Sequence, residues 1–273
     1  MVCIVTMPPL PPLPALLPRV VALAREAGRA ILEVYRQDFT VATKDDASPL
    51  TQADLAAHRS LVRALRALTP GLPIVSEEQA QEPYATRRRW LEHWLVDPLD
   101  GTREFVDRSD DFTVNVALVH AGQALLGVVH APVGDVTYSG VVGHGARRQQ
   151  GDARAEVIGV RPPVGDELVV LASRSHLDAR TRAFLDGLAA CHRVTLRQRG
   201  SALKICLIAE GGAHLYPRLG PTMEWDTAAA HAVLAAAGGV LCEAGGRAPL
   251  RYGKADLRNP SFYAAYGPGA PHP

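Results

Sequence analysis

Apolar residues in the first quarter of the chain recur at the spacing of amphipathic helices. Across residues 19–35 they return every three or four positions, and this period predicts a helix with one buried face. The same period predicts a second helix that begins at Thr51 and ends at a T-P-G sequence. Its first turn, T-Q-A-D, is typical of a capping box, and the helix dipole also favours Asp54 there. Asp54 therefore has a plain structural explanation.

Shorter apolar runs predict strands, and the turns between them predict how the strands pair. Three runs are separated by short glycine and proline turns, which favours an antiparallel meander: 112–119, 124–131 and 136–139. Single strands are expected at 39–43, 72–75 and 94–96. Residues 140–165 are rich in glycine, arginine and proline, so an edge hairpin and a domain junction are expected there.

After residue 165 the pattern changes to strands that alternate with helices. Strands are expected at 168–172, 194–196 and 213–216, and helices at 178–190, 200–209 and 225–237. This alternation indicates an α/β arrangement. The chain is therefore predicted to be an α/β layered sandwich, with an α+β half at 19–155 and an α/β half at 156–266. A flexible extension is expected at 1–18 and a disordered tail at 267–273.

Composition excludes several classes of function. The chain has 273 residues, 47% of them hydrophobic, so it can bury a sizeable core. Lys and Arg total 29 against 28 Asp and Glu, and this net charge of +1 gives no electrostatic footprint for nucleic acid. The four cysteines are far apart and predict free thiols in a reducing cytoplasm, without disulfides or a zinc site.

The N-terminal stretch is apolar, but prolines interrupt it and no Lys or Arg precedes it. A signal peptide is therefore not expected, and Met7 is an alternative start. Since no uninterrupted apolar run reaches about eighteen residues, no membrane span is expected either. These features predict a cytoplasmic protein. The sequence does not predict an oligomeric state.

The candidate chemistry centres on the string W-L-V-D-P-L-D-G-T-R-E-F at 94–105. Its apolar start predicts a short buried strand that stops at Asp97 and Asp100. Pro98 fixes φ and Gly101 permits a tight bend, so both carboxylates would be held on a rigid backbone. Paired carboxylates repel unless a cation lies between them, and Mg²⁺ prefers oxygen ligands. An isolated Asp-Gly pair would more often be only a turn.

The string D-P-L-D-G-T resembles the D-P-[IL]-D-G-T signature of the lithium-sensitive, Mg-dependent phosphatases of the inositol monophosphatase superfamily. The R-E-F extension is similar to the bacterial 3′(2′),5′-bisphosphate nucleotidases. Two further segments resemble the same family: S-E-E at 76–78 and W-D-T-A-A at 225–229. Each has a plain alternative, since adjacent glutamates usually form a solvated loop and Asp226 would favour the dipole of a helix start. The resemblance covers residues 28–262.

The resemblance implies roles for individual residues. Two or three Mg²⁺ ions would be held by Glu77, Asp97, the Leu99 carbonyl, Asp100 and Asp226, and Mn²⁺ is an alternative because oxygen-rich sites accept both ions. The implied catalytic residues are Asp54, Thr102 and Glu77, with Asp54 and Thr102 orienting the attacking water. The implied substrate contacts are Glu77, Leu99, Asp100, Gly101, Thr102, Ser173, Ser201, Lys204, Arg218 and Asp226, with N–H groups near Gly101 and Thr102 holding the phosphate oxygens.

Substrate choice is expected to come from the C-terminal half. The segments S-R-S-H at 173–176, G-S-A-L-K at 200–204 and Y-P-R at 216–218 are similar to those of the bacterial nucleotidases. A cation such as Lys204 would bind the second phosphate of the substrate, although any one of these cations alone would be an ordinary surface residue. Two positions depart from the family pattern: Glu224 stands where an apolar or small residue is usual, and Ala230 where glycine is frequent.

The sequence therefore predicts an enzyme whose partner is a small-molecule nucleotide. The expected reaction removes the 3′-phosphate of adenosine 3′,5′-bisphosphate and gives AMP and phosphate, with 3′-phosphoadenylyl sulfate as a further substrate. This resembles a housekeeping role in sulfate assimilation. The alternatives are an inositol or sugar phosphate phosphatase and, from another class, a non-catalytic nucleotide-sensing relative.

Overall fold

A computed structural model describes residues 10–43, 49–173 and 179–273. The helices in these ranges are α1 (Leu13–Tyr35), α2 (Gln52–Leu68), α3 (Tyr84–Arg87), α4 (Thr102–Val106), α5 (Ala179–Ala189), α6 (Leu203–Ala209) and α7 (Glu224–Ala236). The strands are β1 (Val41–Thr43), β2 (Pro49–Thr51), β3 (Ile74–Ser76), β4 (Glu92–Asp100), β5 (Thr113–His120), β6 (Gln123–Ala131), β7 (Val136–Val141), β8 (Gly145–Gln150), β9 (Glu156–Ile158), β10 (Glu167–Ser173), β11 (Arg193–Arg199), β12 (Leu215–Arg218), β13 (Val240–Glu243) and β14 (Phe262–Ala265).

The N-terminal half is built on a seven-stranded sheet with the order β3-β4-β5-β6-β7-β8-β9. Its strands follow one another along the chain as antiparallel neighbours, except that β3 runs parallel to β4. The predicted meander is therefore part of a larger sheet. Side chains of β5 alternate between two cores, because successive residues of a strand point to opposite faces.

The C-terminal half is built on a five-stranded sheet with the order β11-β10-β12-β14-β13. Strands β10, β11 and β12 run parallel, while β14 is antiparallel to both of its neighbours. The parallel strands are connected through α5 and α6, as the alternating pattern predicts. Strands β13 and β14 were not predicted from the sequence.

Helices and sheets alternate in five layers. Helices α1 and α2 cover one face of the seven-stranded sheet and form one core with it. Helices α6 and α7 lie between the two sheets, in a core that takes residues from both halves of the chain. Helix α5 covers the outer face of the five-stranded sheet. The predicted α/β layered sandwich is confirmed, while the proposed boundary near residue 155 stays a prediction.

Both chain ends are more ordered than expected within the described residues. Helix α1 begins at Leu13, and Leu16 is 1% exposed, so residues 13–18 are not a flexible extension. Pro14 is tolerated because N–H groups in a first helical turn have no partner within the helix. The 267–273 tail also packs, since the Pro273 carbonyl accepts a hydrogen bond from Gly245 N at 2.8 Å. The flexible extension that is expected at residues 1–9 lies outside the described residues.

The run of three arginines at residues 87–89 predicts a solvated face, which is confirmed for the exposed Arg88 and Arg89 but is wrong for Arg87. Arg87 ends the short helix α3 and is 7% exposed. Its guanidinium donates to the carbonyls of Glu82, Lys254 and Ala255 at 2.9, 2.9 and 3.1 Å. The bonds to Lys254 and Ala255 fasten the 79–89 segment to the C-terminal half.

The membrane expectation can be compared with the helices directly. Across 10–43, 49–173 and 179–273, no helix is both long and apolar enough to cross a bilayer. The cytoplasmic location stays a prediction.

Two buried histidines and one half-buried histidine, His231, make the fold sensitive to acid. Burial lowers the pKa of His93, His130 and His231 to about 4, whereas an unperturbed histidine has a pKa of about 6.5. Between these two values the unfolded chain binds more protons than the folded chain. The stability contributed by these neutral histidines is therefore present above about pH 6.5 and is lost as the pH falls towards about 4.

Replacing His93 by phenylalanine is expected to weaken this pH dependence. His93 is 5% exposed and lies 6.1 Å from the Trp90 ring, centroid to centroid, and its Nδ1 has no hydrogen-bond partner in the described part of the chain. We expect the slope of unfolding free energy against pH to fall by up to about 1.4 kcal/mol per unit in urea titrations between about pH 4.5 and 6.5. The same substitution at exposed His144 is the control. An unchanged slope in His93→Phe would contradict the expectation.

Candidate active site

The centre of the site is the carboxyl-terminal end of β4, which carries Asp97 and Asp100. Asp97 pairs with Asn115 on β5, but the register shifts before Asp100 pairs with Thr113. Pro98 lies within this shift and has no N–H to donate to the ladder, so a local irregularity there re-aims the following side chains. The strand is longer than predicted, and both carboxylates belong to it rather than to a turn after it.

A tight bend follows these two aspartates. Gly101 has a φ of 95°, which glycine adopts without a steric penalty, and α4 begins at Thr102. Leu99 N donates to Asp97 Oδ1 at 3.1 Å, while the Leu99 carbonyl accepts from the Thr102 hydroxyl at 3.3 Å. The bend therefore places a backbone carbonyl, a carboxylate and a hydroxyl next to one another.

Asp54 links the start of α2 to this bend. Its Oδ2 accepts hydrogen bonds from Thr51 N at 2.7 Å and Thr51 Oγ1 at 2.6 Å, which completes the expected capping box. Its Oδ1 accepts from Thr102 Oγ1 at 3.2 Å. Asp54 is 1% exposed. Asp54 therefore caps α2 with one carboxylate oxygen and binds Thr102 with the other, so the two interpretations are compatible.

Three carboxylates from three distant segments converge beside Asp100. The oxygens of Glu77, Asp97 and Asp226 lie within 4.8 Å of one another. Glu77 follows β3, and its N–H donates to the Val96 carbonyl at 3.2 Å, which fixes it beside β4. Asp226 also accepts a hydrogen bond from the N–H of Met223 at 2.8 Å, so the same side chain caps α7 and belongs to the cluster.

Burial and like charges make ionisation of these groups unfavourable. Burial raises the pKa of Asp97 well above its usual range, and neighbouring carboxylates, led by Glu77, add to the rise. Burial likewise raises the pKa of Asp226, with Asp100 as the largest contribution from a charge. Burial also raises the pKa of Asp100, to about 6, although the nearby charge of Lys204 opposes the rise. A cation held among these side chains would relieve both the desolvation and the repulsion.

The donor set fits a hard divalent cation. All the side chains in the cluster offer carboxylate oxygens, which Mg²⁺ and Mn²⁺ accept as ligands. The geometry therefore suits Glu77, Asp97 and Asp226 as metal ligands, and Asp100 is close enough for its charge to raise the pKa of the other two aspartates. The metal contacts of Asp100 and the Leu99 carbonyl stay predictions.

The Asp100 carboxylate is held from both halves of the chain. Its Oδ2 accepts from Asn115 Nδ2 at 3.2 Å and from Ala202 N at 2.6 Å. Thr113 supports this arrangement by donating to the Asn115 side-chain oxygen at 2.9 Å. The sequence analysis missed Asn115, although a polar residue in the apolar run F-T-V-N-V-A-L-V was a signal for it. The Ala202 contact uses a backbone N–H, which leaves no signal in residue type.

A cleft of about 160 Å³ lies beside these carboxylates and is lined by residues from both halves. Ser201, Lys204 and Arg218 line it, as do Asp100, Gly101 and Asp226. Lys204 is 5% exposed and donates from Nζ to the Ser201 carbonyl at 2.8 Å and the Arg199 carbonyl at 3.3 Å. Burial lowers the pKa of Lys204 to about 8. Lys204 is therefore an anchored cation rather than a surface one.

Arg218 presents a second cation to the cleft. Its Nη2 donates to the Pro221 carbonyl at 3.0 Å, and its buried Nε has no hydrogen-bond partner among the residues that the structure describes. The structure thus brings Ser201, Lys204 and Arg218 together. The side chain of Ser173 lies outside the described residues, so its role stays a prediction.

The two departures from the family pattern have structural explanations. Glu224 is fully buried at the start of α7, where Lys254 Nζ donates to it at 2.6 Å. Ala230 is also fully buried, and α7 packs so closely on β6 that a Cβ on Gly127 would lie 2.0 Å from the Ala229 carbonyl oxygen. Neither departure changes a carboxylate of the cluster.

Comparisons with known proteins agree with this geometry. The family model described as the inositol monophosphatase family matches residues 16–270. The 3′(2′),5′-bisphosphate nucleotidase CysQ of Escherichia coli K12 is 46% identical over 251 residues, which is 90% of this chain and 98% of that protein. CysQ of Buchnera aphidicola is 38% identical over 92% of this chain and 93% of its own length. The crystal structure of CysQ from Bacteroides thetaiotaomicron matches with a TM-score of 0.81 at 41% identity, over 91% of this chain and 96% of that chain.

Proposed function

Because the chain belongs to the inositol monophosphatase family, we propose that it is a metal-dependent phosphate monoesterase that acts on a bisphosphorylated nucleotide. The substrate we propose is adenosine 3′,5′-bisphosphate, from which it removes the 3′-phosphate to give AMP and phosphate. 3′-Phosphoadenylyl sulfate would be attacked in the same way. The observation that carries this proposal is the convergence of the carboxylates of Glu77, Asp97 and Asp226 within 4.8 Å of one another. The similarity to the CysQ nucleotidases supports the choice of substrate.

The carboxylate cluster would hold two or three Mg²⁺ ions. Glu77, Asp97, Asp100 and Asp226 would supply side-chain oxygens, and Leu99 its carbonyl. When bound, Mg²⁺ supplies positive charge against the phosphate and the leaving oxygen, and it lowers the pKa of a coordinated water. The chain itself provides a preformed set of negative ligands, so little rearrangement is needed on loading.

Asp54 and Thr102 would position the attacking water. The Thr102 hydroxyl donates to Asp54 Oδ1 at 3.2 Å, and a lone pair of its oxygen can accept a hydrogen bond from the water. The capping bonds from Thr51 keep Asp54 in place. A water held in this way faces the phosphate in line with the leaving ribose oxygen, and N–H groups near Gly101 and Thr102 would hold the phosphate oxygens.

The cations of the C-terminal half would bind the second phosphate. Lys204 and Arg218 line the cleft together with Asp100 and Asp226. Their positive charges suit a second anionic group at a distance from the reacting phosphate. A phosphate ester that lacks this group, such as inositol 1-phosphate, would leave both cations unused.

The test is phosphate release from adenosine 3′,5′-bisphosphate and inositol 1-phosphate, each with Mg²⁺ and with EDTA. We expect Mg²⁺-dependent release from the nucleotide with a kcat/KM at least about tenfold above that for the inositol ester, equivalent to about 1.4 kcal/mol of binding to the second phosphate. Preference for the inositol ester would keep the mechanism and overturn the substrate. Absence of metal-dependent release from a wider panel of phosphate esters would favour a nucleotide-sensing protein.

A further inference from the structure

The turn at residues 199–202 (the 199–202 turn) carries the contact from the C-terminal half to Asp100. It connects β11 to α6, and within it Ser201 has a left-handed φ of 45°. Residues other than glycine adopt this conformation rarely, and it persists where surrounding contacts over-determine the backbone. Something outside the turn must therefore hold it in this shape.

Asp111 holds the turn from the side of the N-terminal half. Its Oδ2 accepts from Gly200 N at 3.1 Å and its Oδ1 accepts from Arg199 Nη1 at 2.9 Å. The two segments are in direct contact, because a Cβ on Gly200 would lie 2.6 Å from the Asp111 carbonyl oxygen. On the other side, Lys204 Nζ binds the carbonyls of Arg199 and Ser201. Gly200 N and the Arg199 guanidinium thus face Asp111, while the carbonyls of Arg199 and Ser201 face Lys204.

The consequence of this clamp appears at Asp100. Ala202 N, at the end of the turn, donates to Asp100 Oδ2 at 2.6 Å, and Asn115 donates to the same oxygen at 3.2 Å. These two donors hold Oδ2 in place and so restrain the orientation of the carboxylate. Movement of the turn would remove the shorter of the two bonds and leave the carboxylate less restrained.

We propose that Asp111 is a positioning residue: it locks the 199–202 turn against the N-terminal half so that Ala202 N–H fixes Asp100 in its metal-binding orientation. The inference rests on the proposed function in taking Asp100 as a metal ligand. Asp111 does not line the cleft, and its side chain is 5% exposed, so it acts through the turn. A carboxylate is required because both of its oxygens accept, whereas an amide presents one donor.

The test compares Asp111→Asn with Asp110→Asn. Asp110 is the exposed neighbour, and it accepts a hydrogen bond from the Tyr35 hydroxyl at 2.7 Å, so the control makes the same chemical change one residue away. Mg²⁺ affinity is measured by calorimetry without substrate, and kcat and KM are measured separately. We expect Asp111→Asn to weaken Mg²⁺ binding roughly tenfold and to lower kcat roughly tenfold. KM should change less than about threefold. Asp110→Asn should match the wild type, and Asp111→Glu should recover part of the loss.

Gly200→Ala tests the same contact from the other side. It leaves the Asp111 charge in place, but the added Cβ displaces the turn, so the same loss of Mg²⁺ affinity is expected. Wild-type Mg²⁺ affinity and kcat in both folded variants would overturn the proposal, as would a wild-type protein that binds no Mg²⁺. If Asp111→Asn does not fold, Gly200→Ala decides alone. The wild type could also hydrolyse no phosphate ester while both variants bind Mg²⁺ more weakly than it does. That result would support the role of Asp111 in holding the turn and would reject the proposed function.

Discussion

Replacing Asp97 by asparagine is expected to abolish Mg²⁺-dependent phosphate release and, at the same time, to stabilise the metal-free protein. Asp97 is 1% exposed and lies within 4.8 Å of the carboxylates of Glu77 and Asp226. Its Oδ1 accepts from Leu99 N at 3.1 Å, and asparagine can keep that bond. The substitution therefore removes a charge from the cluster and changes little else.

The expected loss of activity is at least about a thousandfold in kcat/KM, equivalent to about 4 kcal/mol of transition-state stabilisation. The metal-free variant should gain on the order of 1–3 kcal/mol of unfolding free energy near neutral pH, since like charges several ångströms apart in a buried site repel strongly. Folding raises the pKa of Asp97, so this group lowers the free energy of unfolding at any pH above its ordinary pKa. The gain should therefore shrink as the pH falls towards about 4.

The measurement is a pair of melting curves, in EDTA and in Mg²⁺, with phosphate release assayed on the same preparations. The wild type should melt higher in Mg²⁺ than in EDTA, because a ligand that binds only the folded state stabilises it, and Asp97→Asn should lose most of this difference. Asp107→Asn, at an exposed position after α4, is the control. A metal-free Asp97→Asn protein that melts below the wild type would contradict the account of repulsion within the cluster.

Much of the site could be predicted because its residues lie in short contiguous strings. D-P-L-D-G-T, S-E-E and W-D-T each fix a carboxylate on a local backbone feature: a strand end, a strand exit and a helix start. The family resemblance that these strings indicate is confirmed, and the structure brings Glu77, Asp97 and Asp226 together. Their roles as metal ligands stay proposals.

What the sequence could not predict depends on contacts between distant segments. Ala202 reaches Asp100 through a backbone N–H, which every residue except proline carries, so no pattern of residue types marks it. From the sequence alone, Lys204 would be interpreted as a surface cation. In the structure, the turn before it places two carbonyls within reach of its ammonium group. Arg87 was misread for the same reason, since its partners include the Lys254 and Ala255 carbonyls in the other half of the chain.

Glu224, the departure from the family pattern beside Asp226, is where a stability loss is expected to be largest. Its carboxylate is fully buried and accepts from Gly253 N at 2.7 Å, Lys254 N at 3.0 Å and Lys254 Nζ at 2.6 Å. Glu224→Ala would leave the N–H groups of Gly253 and Lys254 without this acceptor and would remove the anion that pairs with the Lys254 ammonium. We expect a loss of about 3–5 kcal/mol in unfolding free energy, measured by urea titration in EDTA.

Lys254→Met separates the two kinds of partner. The Lys254 side chain is 29% exposed, and its removal leaves both backbone donors on the Glu224 carboxylate, so a loss of only about 1–2 kcal/mol is expected. Which of the two variants is less stable matters more than either value. If the ion pair alone held the 253–254 segment on α7, the two variants would be equally unstable. A larger loss in Glu224→Ala means that the carboxylate chiefly secures the backbone of the 253–254 segment, and with it the helix start that carries Asp226.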